Sequence, residues 1–90
     1  MKFKKFVNPF HPGEILLEEF LKPMEISQRS FAKKIDWDLR KLNEIINGKR
    51  GITASTAIDL SEELGTTPEF WMNLQQTWDL AKEYEQRKAV

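Results

Sequence analysis

Residues 27–50, SQRSFAKKIDWDLRKLNEIINGKR, hold two short amphipathic segments with a few polar residues between them. The hydroxyl of Ser27 suits a helix N-cap, accepting from the free backbone N–H groups of the next turn, and Phe31, Ala32 and Ile35 then recur on one helical face. Asp36 and Trp37 form a tight connection. Asp38 caps the next helix, Leu42, Ile45 and Ile46 form its inner stripe, and Gly48 ends it where a left-handed residue is needed.

Two short helices joined by a turn, the second followed by a basic loop, have the layout of a helix-turn-helix, whose second helix enters the major groove of DNA. Such a pair needs a small residue where the helices cross. Ala32 occupies that place, with Leu42 and Ile45 packed beneath it and Leu39, Arg40, Asn43 and Glu44 on the opposite face. Arg40 suits a guanine edge through paired hydrogen bonds, Asn43 suits adenine, and Leu39 offers a thymine methyl an apolar contact. Gln28 suits a phosphate or an adenine edge. Lys41, Lys49 and Arg50 are placed for phosphates, where they add affinity and salt dependence without selecting sequence.

Outward from this pair the chain reads as further helices. Pro12 and Gly13 open one in which Ile15, Leu16 and Phe20 face inward, with Leu17 and Leu21 beside them; Glu14, Glu18 and Glu19 fill the outer face and Pro23 stops it. Thr53 caps a helix carrying Ala57, Leu60 and Leu64 that closes at Gly65. Thr67-Pro68-Glu69 is an N-cap, an N1 proline and an acidic first turn, starting a long last helix over about 68–87. No stretch alternates as a strand does, so the chain is expected to be all-α, with an N-terminal arm over 1–10 and one domain over 11–90. On the last helix Phe70, Trp71, Leu74, Trp78, Ala81 and Tyr84 make a stripe broader than one core face requires. Phe70, Trp78 and Tyr84 are the candidate contacts with a second copy, since a two-fold homodimer reads two half-sites.

The formal net charge is zero, but it is unevenly laid out. Residues 27–50 carry seven basic and three acidic side chains, and residues 51–90 carry three basic and seven acidic ones. One end can therefore approach phosphates while the other is repelled by them. With no Cys there is neither a disulfide nor a thiolate metal site, and the early lysines are not followed by the apolar core of a signal peptide. No unbroken apolar run exceeds three residues, against roughly 20 needed to span a bilayer. A cytoplasmic protein without membrane contact is expected. His11, the only histidine, has no evident catalytic or metal-binding companions and reads as a surface or capping residue before Pro12. Glu18 and Glu19 diverge by about 100° on a helix and do not converge on one substrate. No HExxH, phosphate loop or nucleophile elbow occurs, so neither an enzyme nor a cofactor or small-molecule ligand is expected.

The phrases HPGEILLEEFL (11–21), ISQRSFAKKI (26–35), LNEIINGKRGITASTAIDL (42–60) and LGTTPEFWMNLQQTWDL (64–80) together resemble the HigA antitoxins, a VapI-like branch of the Cro/repressor-like (XRE) helix-turn-helix superfamily. The resemblance spans residues 11 to 80 in unbroken order. It implies five helices with an extended last one, a dimer, double-stranded operator DNA as one partner and a RelE/HigB-like toxin that cleaves messenger RNA as the other. By the same resemblance the protein neutralises that toxin and represses the promoter the two genes share. This chain departs from the family pattern at the turn, where the resemblance implies a left-handed backbone and Asp36, which tolerates it better than most residues do but at some cost, stands for the usual Gly; Trp37 and Asp38 stand for a β-branched residue and a Ser or Thr. Two other functions fit these residues: a stand-alone repressor, and a toxin-neutralising module that has lost DNA binding through Asp36, Asp38 and Leu39. Helix 1 and the N-terminal arm are the expected toxin contacts.

Overall fold

A computed structural model of the chain describes residues 9–88, which form five helices and no strand. Helix α1 opens as one α-turn, Pro12–Ile15, and passes directly into a π-helical segment, Leu16–Leu21, in which the Lys22 amide donates to the Leu17 carbonyl five residues back at 3.0 Å. This widening has a packing reason. Residues five apart lie about 140° from one another on an α-helix, and the wider register brings Leu16 and Leu21 round to the same interior, where both are fully buried. Glu14, Glu18 and Glu19 remain exposed.

Helix α2, Gln28–Ile35, starts at Ser27, whose Oγ accepts from the Ser30 amide at 3.1 Å. It stops at Asp36, which adopts the left-handed conformation (φ 61°, ψ 42°) while the Trp37 amide donates back to the Ala32 carbonyl at 2.8 Å. Helix α3, Leu39–Ile46, is capped by Asp38, whose carboxylate accepts from the Arg40 amide at 3.4 Å, and it ends before Gly48 at φ 74°. Helix α4, Ala54–Leu64, begins at Thr53 and closes on left-handed Gly65. Helix α5, Pro68–Lys88, begins with the Phe70 amide donating to Thr67 Oγ1 at 3.1 Å and runs for 21 residues. The core joins Leu16 and Leu21 of α1, Phe31 and Ala32 of α2, Leu42 and Ile45 of α3, Ala57 and Leu60 of α4, and Trp71 of α5. Gln75 ties the loop before α4 to α5, its Oε1 accepting from the Ile52 amide at 2.6 Å.

Two sequence expectations need correction. Trp37 is more than a connector: it is 9% exposed, belongs to the core cluster, and donates from Nε1 to Asp59 Oδ2 on α4 at 3.0 Å. The turn between α2 and α3 is thus fastened to α4 by a side chain. His11 is a capping residue but not a surface one. Its Nδ1 accepts from the Gly13 amide at 2.9 Å, its ring meets Trp78 edge-on at 5.1 Å, and 6% of it is exposed. Of the arm expected over 1–10, residues 1–8 lie outside the described residues.

The cap requires His11 to be neutral at Nδ1, and burial lowers its pKa from the ordinary value, opposed by the carboxylates of Asp79 and Glu14. The unfolded chain takes up a proton on this ring at about pH 6.5, before the folded chain does. The His11 contribution to stability is therefore complete above that pH and is lost as the pH falls towards the folded-state value. Thermal unfolding followed from pH 7.5 to pH 5 is expected to show this loss. It should be smaller in His11→Asn, which keeps a capping oxygen and cannot titrate.

Candidate nucleic-acid interface

The inner flank of α3 is fixed by Leu42 and Ile45, both wholly buried, against Ala32 of α2. Leu39 and Ile46 also pack against the core, so the solvent-facing side of the helix is the one that carries Arg40. Arg40 projects furthest, its side chain 82% exposed. Asn43 lies on the same side and is half buried, as is Gln28 at the first position of α2. Lys49 and Arg50 stand exposed in the loop beyond Gly48. Of these residues, expected from the sequence to form the recognition face and its phosphate contacts, Arg40 and Arg50 are brought together, both on the carboxylate of Glu44.

Three members of the set are more constrained than their spacing suggested. Leu39 is half buried and rests against the core edge, sharing a shallow cleft with Arg29, Ala32, Lys33, Asp36 and Trp37. Lys41 places its Nζ 4.4 Å from the centroid of the Trp37 ring, so its ammonium is held over an aromatic face. Glu44 gathers two arginines. Its Oε1 accepts from Nε and Nη2 of Arg50 at 2.9 and 2.6 Å, and its Oε2 accepts from Nε of Arg40 at 3.3 Å. The hydrogen bond from Arg50, helped by the charges of both arginines and opposed by partial burial, holds the Glu44 carboxyl below its ordinary pKa. The backbone takes part as well, since the Glu44 carbonyl accepts from the amides of Lys49 and Arg50 at 2.8 and 3.2 Å.

Sequence reasoning overlooked Arg29 and Lys33, whose exposed side chains on α2 line the cleft beside the start of α3. Both were counted in the basic segment, and that was the available signal. The Arg40–Glu44 pair was equally legible, four residues apart on one helix face. Besides Asp36, Asp38 and Glu44, which lie within the α2–α3 pair, the acidic residues of the described chain lie elsewhere: Glu14, Glu18 and Glu19 on α1, Glu25 in the turn after it, Asp59, Glu62 and Glu63 on α4, and Glu69, Asp79, Glu83 and Glu85 on α5. A Trp37-fastened turn and a buried inner flank on α3 define a helix-turn-helix protein.

Comparison with known proteins agrees. The family model described as "Helix-turn-helix" matches residues 17–71. Virulence-associated protein I of Dichelobacter nodosus is 40% identical over 80 residues, covering 89% of this chain and 74% of that protein. Antitoxin HigA-1 of Vibrio cholerae is 38% identical over 81 residues, covering 87% and 76%. Among solved structures, the Pseudomonas aeruginosa antitoxin HigA with the higBA promoter superposes with a TM-score of 0.86 at 39% identity, covering 91% of this chain and 89% of that one. The chain belongs to the helix-turn-helix family, in the branch that holds the HigA antitoxins and virulence-associated protein I.

Proposed function

We propose that this chain binds double-stranded operator DNA as a homodimer with α3 in the major groove, represses its own operon, and neutralises a RelE/HigB-like messenger-RNA-cleaving toxin. The observation that carries the DNA-binding part is the two-sidedness of α3: Leu42 and Ile45 are buried to the last atom while Arg40 stands in solvent beside Asn43. The likeness to a HigA antitoxin solved with its promoter supports it. Arg40 and Asn43 read base edges, Gln28 fixes the register of α2 on the backbone, Lys49 and Arg50 meet phosphates, and Lys41 approaches them from its place over Trp37. Leu39 offers the apolar contact, and Glu44 lies among the arginines.

The homodimer is supported by exposed apolar surface on the last two helices. Ile58, Phe70, Met72, Leu80 and Tyr84 are each more than a third exposed, and only part of Trp78 is taken up by His11. The toxin arm of the proposal rests on family likeness and on the acidic outer face of α1, where Glu14, Glu18 and Glu19 suit a small basic partner. No helix among the described residues is long and apolar enough to cross a membrane, in keeping with a protein that works on DNA in the cytoplasm.

The test is titration of the purified chain onto its own promoter fragment. Binding should weaken steeply with salt, with two chains per duplex by sedimentation. Arg40→Ala and Asn43→Ala should each lower operator affinity by about 1–3 kcal/mol, roughly five- to 150-fold, and relax preference at one base position. Lys49→Ala should weaken all duplexes alike and flatten the salt dependence by about one unit of slope. Absence of promoter binding at micromolar protein, alongside growth rescue from the co-expressed neighbouring toxin, would select the interaction-module function instead. Rescue itself tests the antitoxin arm.

A further inference from the structure

The geometry points to Glu44 as a positioning residue that sets the ratio of operator to non-operator binding, by holding Arg40 side-on so that its outer fork is aimed at a base edge; this deepens the DNA-binding reading and rests on it. The bond to Arg40 is made at Nε alone, 3.3 Å from Glu44 Oε2. Both terminal nitrogens are left without a hydrogen bond among the described residues, and they form the fork that matches the O6 and N7 atoms of guanine. An arginine at this exposure and without a tether samples many rotamers, and ordering it on the DNA opposes binding. Tethered at Nε, it has already lost part of that freedom.

One carboxylate sits between two guanidinium groups, Arg50 being held through Nε and Nη2 and Arg40 through Nε. The cluster therefore presents about one net positive charge to a phosphate rather than two, and both arginines are restrained from reaching for whichever phosphate is nearest. Phosphate contacts carry no sequence information, so this restraint falls on every duplex alike, while the aimed fork helps only where a guanine stands in register. Glu44 also accepts the Lys49 and Arg50 amides at its own carbonyl, which fixes the loop that carries the second guanidinium. Side chain and backbone of one residue thus place both arginines.

The experiment measures affinity for the chain's own operator and for a scrambled duplex of equal length, across a salt series, for the full chain and for Glu44→Gln, Glu44→Asp and the double variant Glu44→Gln with Arg40→Ala. Glu44→Gln keeps the shape and removes the charge. It is expected to tighten scrambled-duplex binding about threefold to tenfold with a steeper salt slope, to leave operator binding unchanged or weaker, and so to lower the ratio about tenfold. Glu44→Asp keeps the charge but shortens the reach, and should lower the ratio by weakening operator binding without steepening the salt slope. Against an Arg40→Ala background, Glu44→Gln should move the ratio by less than about twofold. Unfolding midpoints close to that of the parent chain show that the fold is intact. A ratio within about twofold of the parent in both single variants, or an equal fall with and without Arg40, overturns the assignment while leaving α3 as the DNA-reading helix. Failure of the parent chain to bind its operator overturns both.

Discussion

Gly13→Ala is expected to lower the melting temperature by about 10–20 °C and to weaken operator binding further than this destabilisation alone explains. A Cβ built at Gly13 lies 1.8 Å from the carbonyl oxygen of Ile45, 2.5 Å from its carbonyl carbon and 2.8 Å from the Cα of Ile46. All three atoms are backbone of α3, so no side chain can turn aside to make room. Either α1 or α3 must move by more than an ångström. Overfilling a packed site ordinarily costs about 1–3 kcal/mol and more where backbone has to shift, and each kcal/mol is worth about 4–8 °C in a domain of this size. The moving part would be the proposed recognition helix itself. The start of α1 abuts the end of α3, so a displacement there carries Arg40 and Asn43 with it. Gly65→Ala provides the contrast. Its Cβ would meet nothing within 4 Å, and only its left-handed backbone (φ 75°) resists, at about 1–2 kcal/mol. Calorimetry together with operator titration on both variants checks the difference; an equal loss of binding per degree in the two would show that Gly13 acts through stability alone.

What the sequence made legible follows the range of the interactions concerned. The caps at Ser27, Asp38, Thr53 and Thr67 are contacts with amides two or three residues on, and each forms as expected. Asp36 takes the left-handed backbone assigned to it, and the inner stripes of α2 and α3 are buried at Phe31, Ala32, Leu42 and Ile45. The missed features depend on partners that only the fold brings close. Trp37 read as part of a connector because its partner Asp59 is 22 residues further along the chain, on another helix. For His11 the sequence allows either a surface or a capping place, since nothing local shows that Trp78 closes over it. The π-helical turn in α1 satisfies a packing demand of Leu16 and Leu21 together, and helical periodicity alone does not contain it. Within α3, the pairing of Arg40 with Glu44 four residues further on was legible from spacing. The convergence of Arg50 on Glu44 was not, since it depends on the reversal of the chain at Gly48.

Trp71→Ala is expected to be among the most destabilising single truncations of the core, removing about 3–5 kcal/mol of a total that for such domains is about 5–15. Trp71 is the largest of the fully buried side chains. Its ring lies 5.4 Å from that of Phe20 on α1 and 5.0 Å from that of Phe70, and its Nε1 donates to Thr66 Oγ1 at 2.7 Å. Truncation therefore opens a cavity between α1 and α5, strips Phe20 of an aromatic neighbour and leaves the Thr66 hydroxyl without its donor. The two losses can be compared, because Trp71→Phe keeps a smaller buried aromatic ring and removes the N–H that bonds Thr66. That variant should lose about 1–2 kcal/mol, chiefly through Thr66 and the smaller ring, and Trp71→Ala should lose at least twice as much. Urea unfolding monitored by circular dichroism measures both. Equal losses in the two variants would mean that the hydrogen bond to Thr66, rather than the buried aromatic surface, is what joins α5 to the rest of the core.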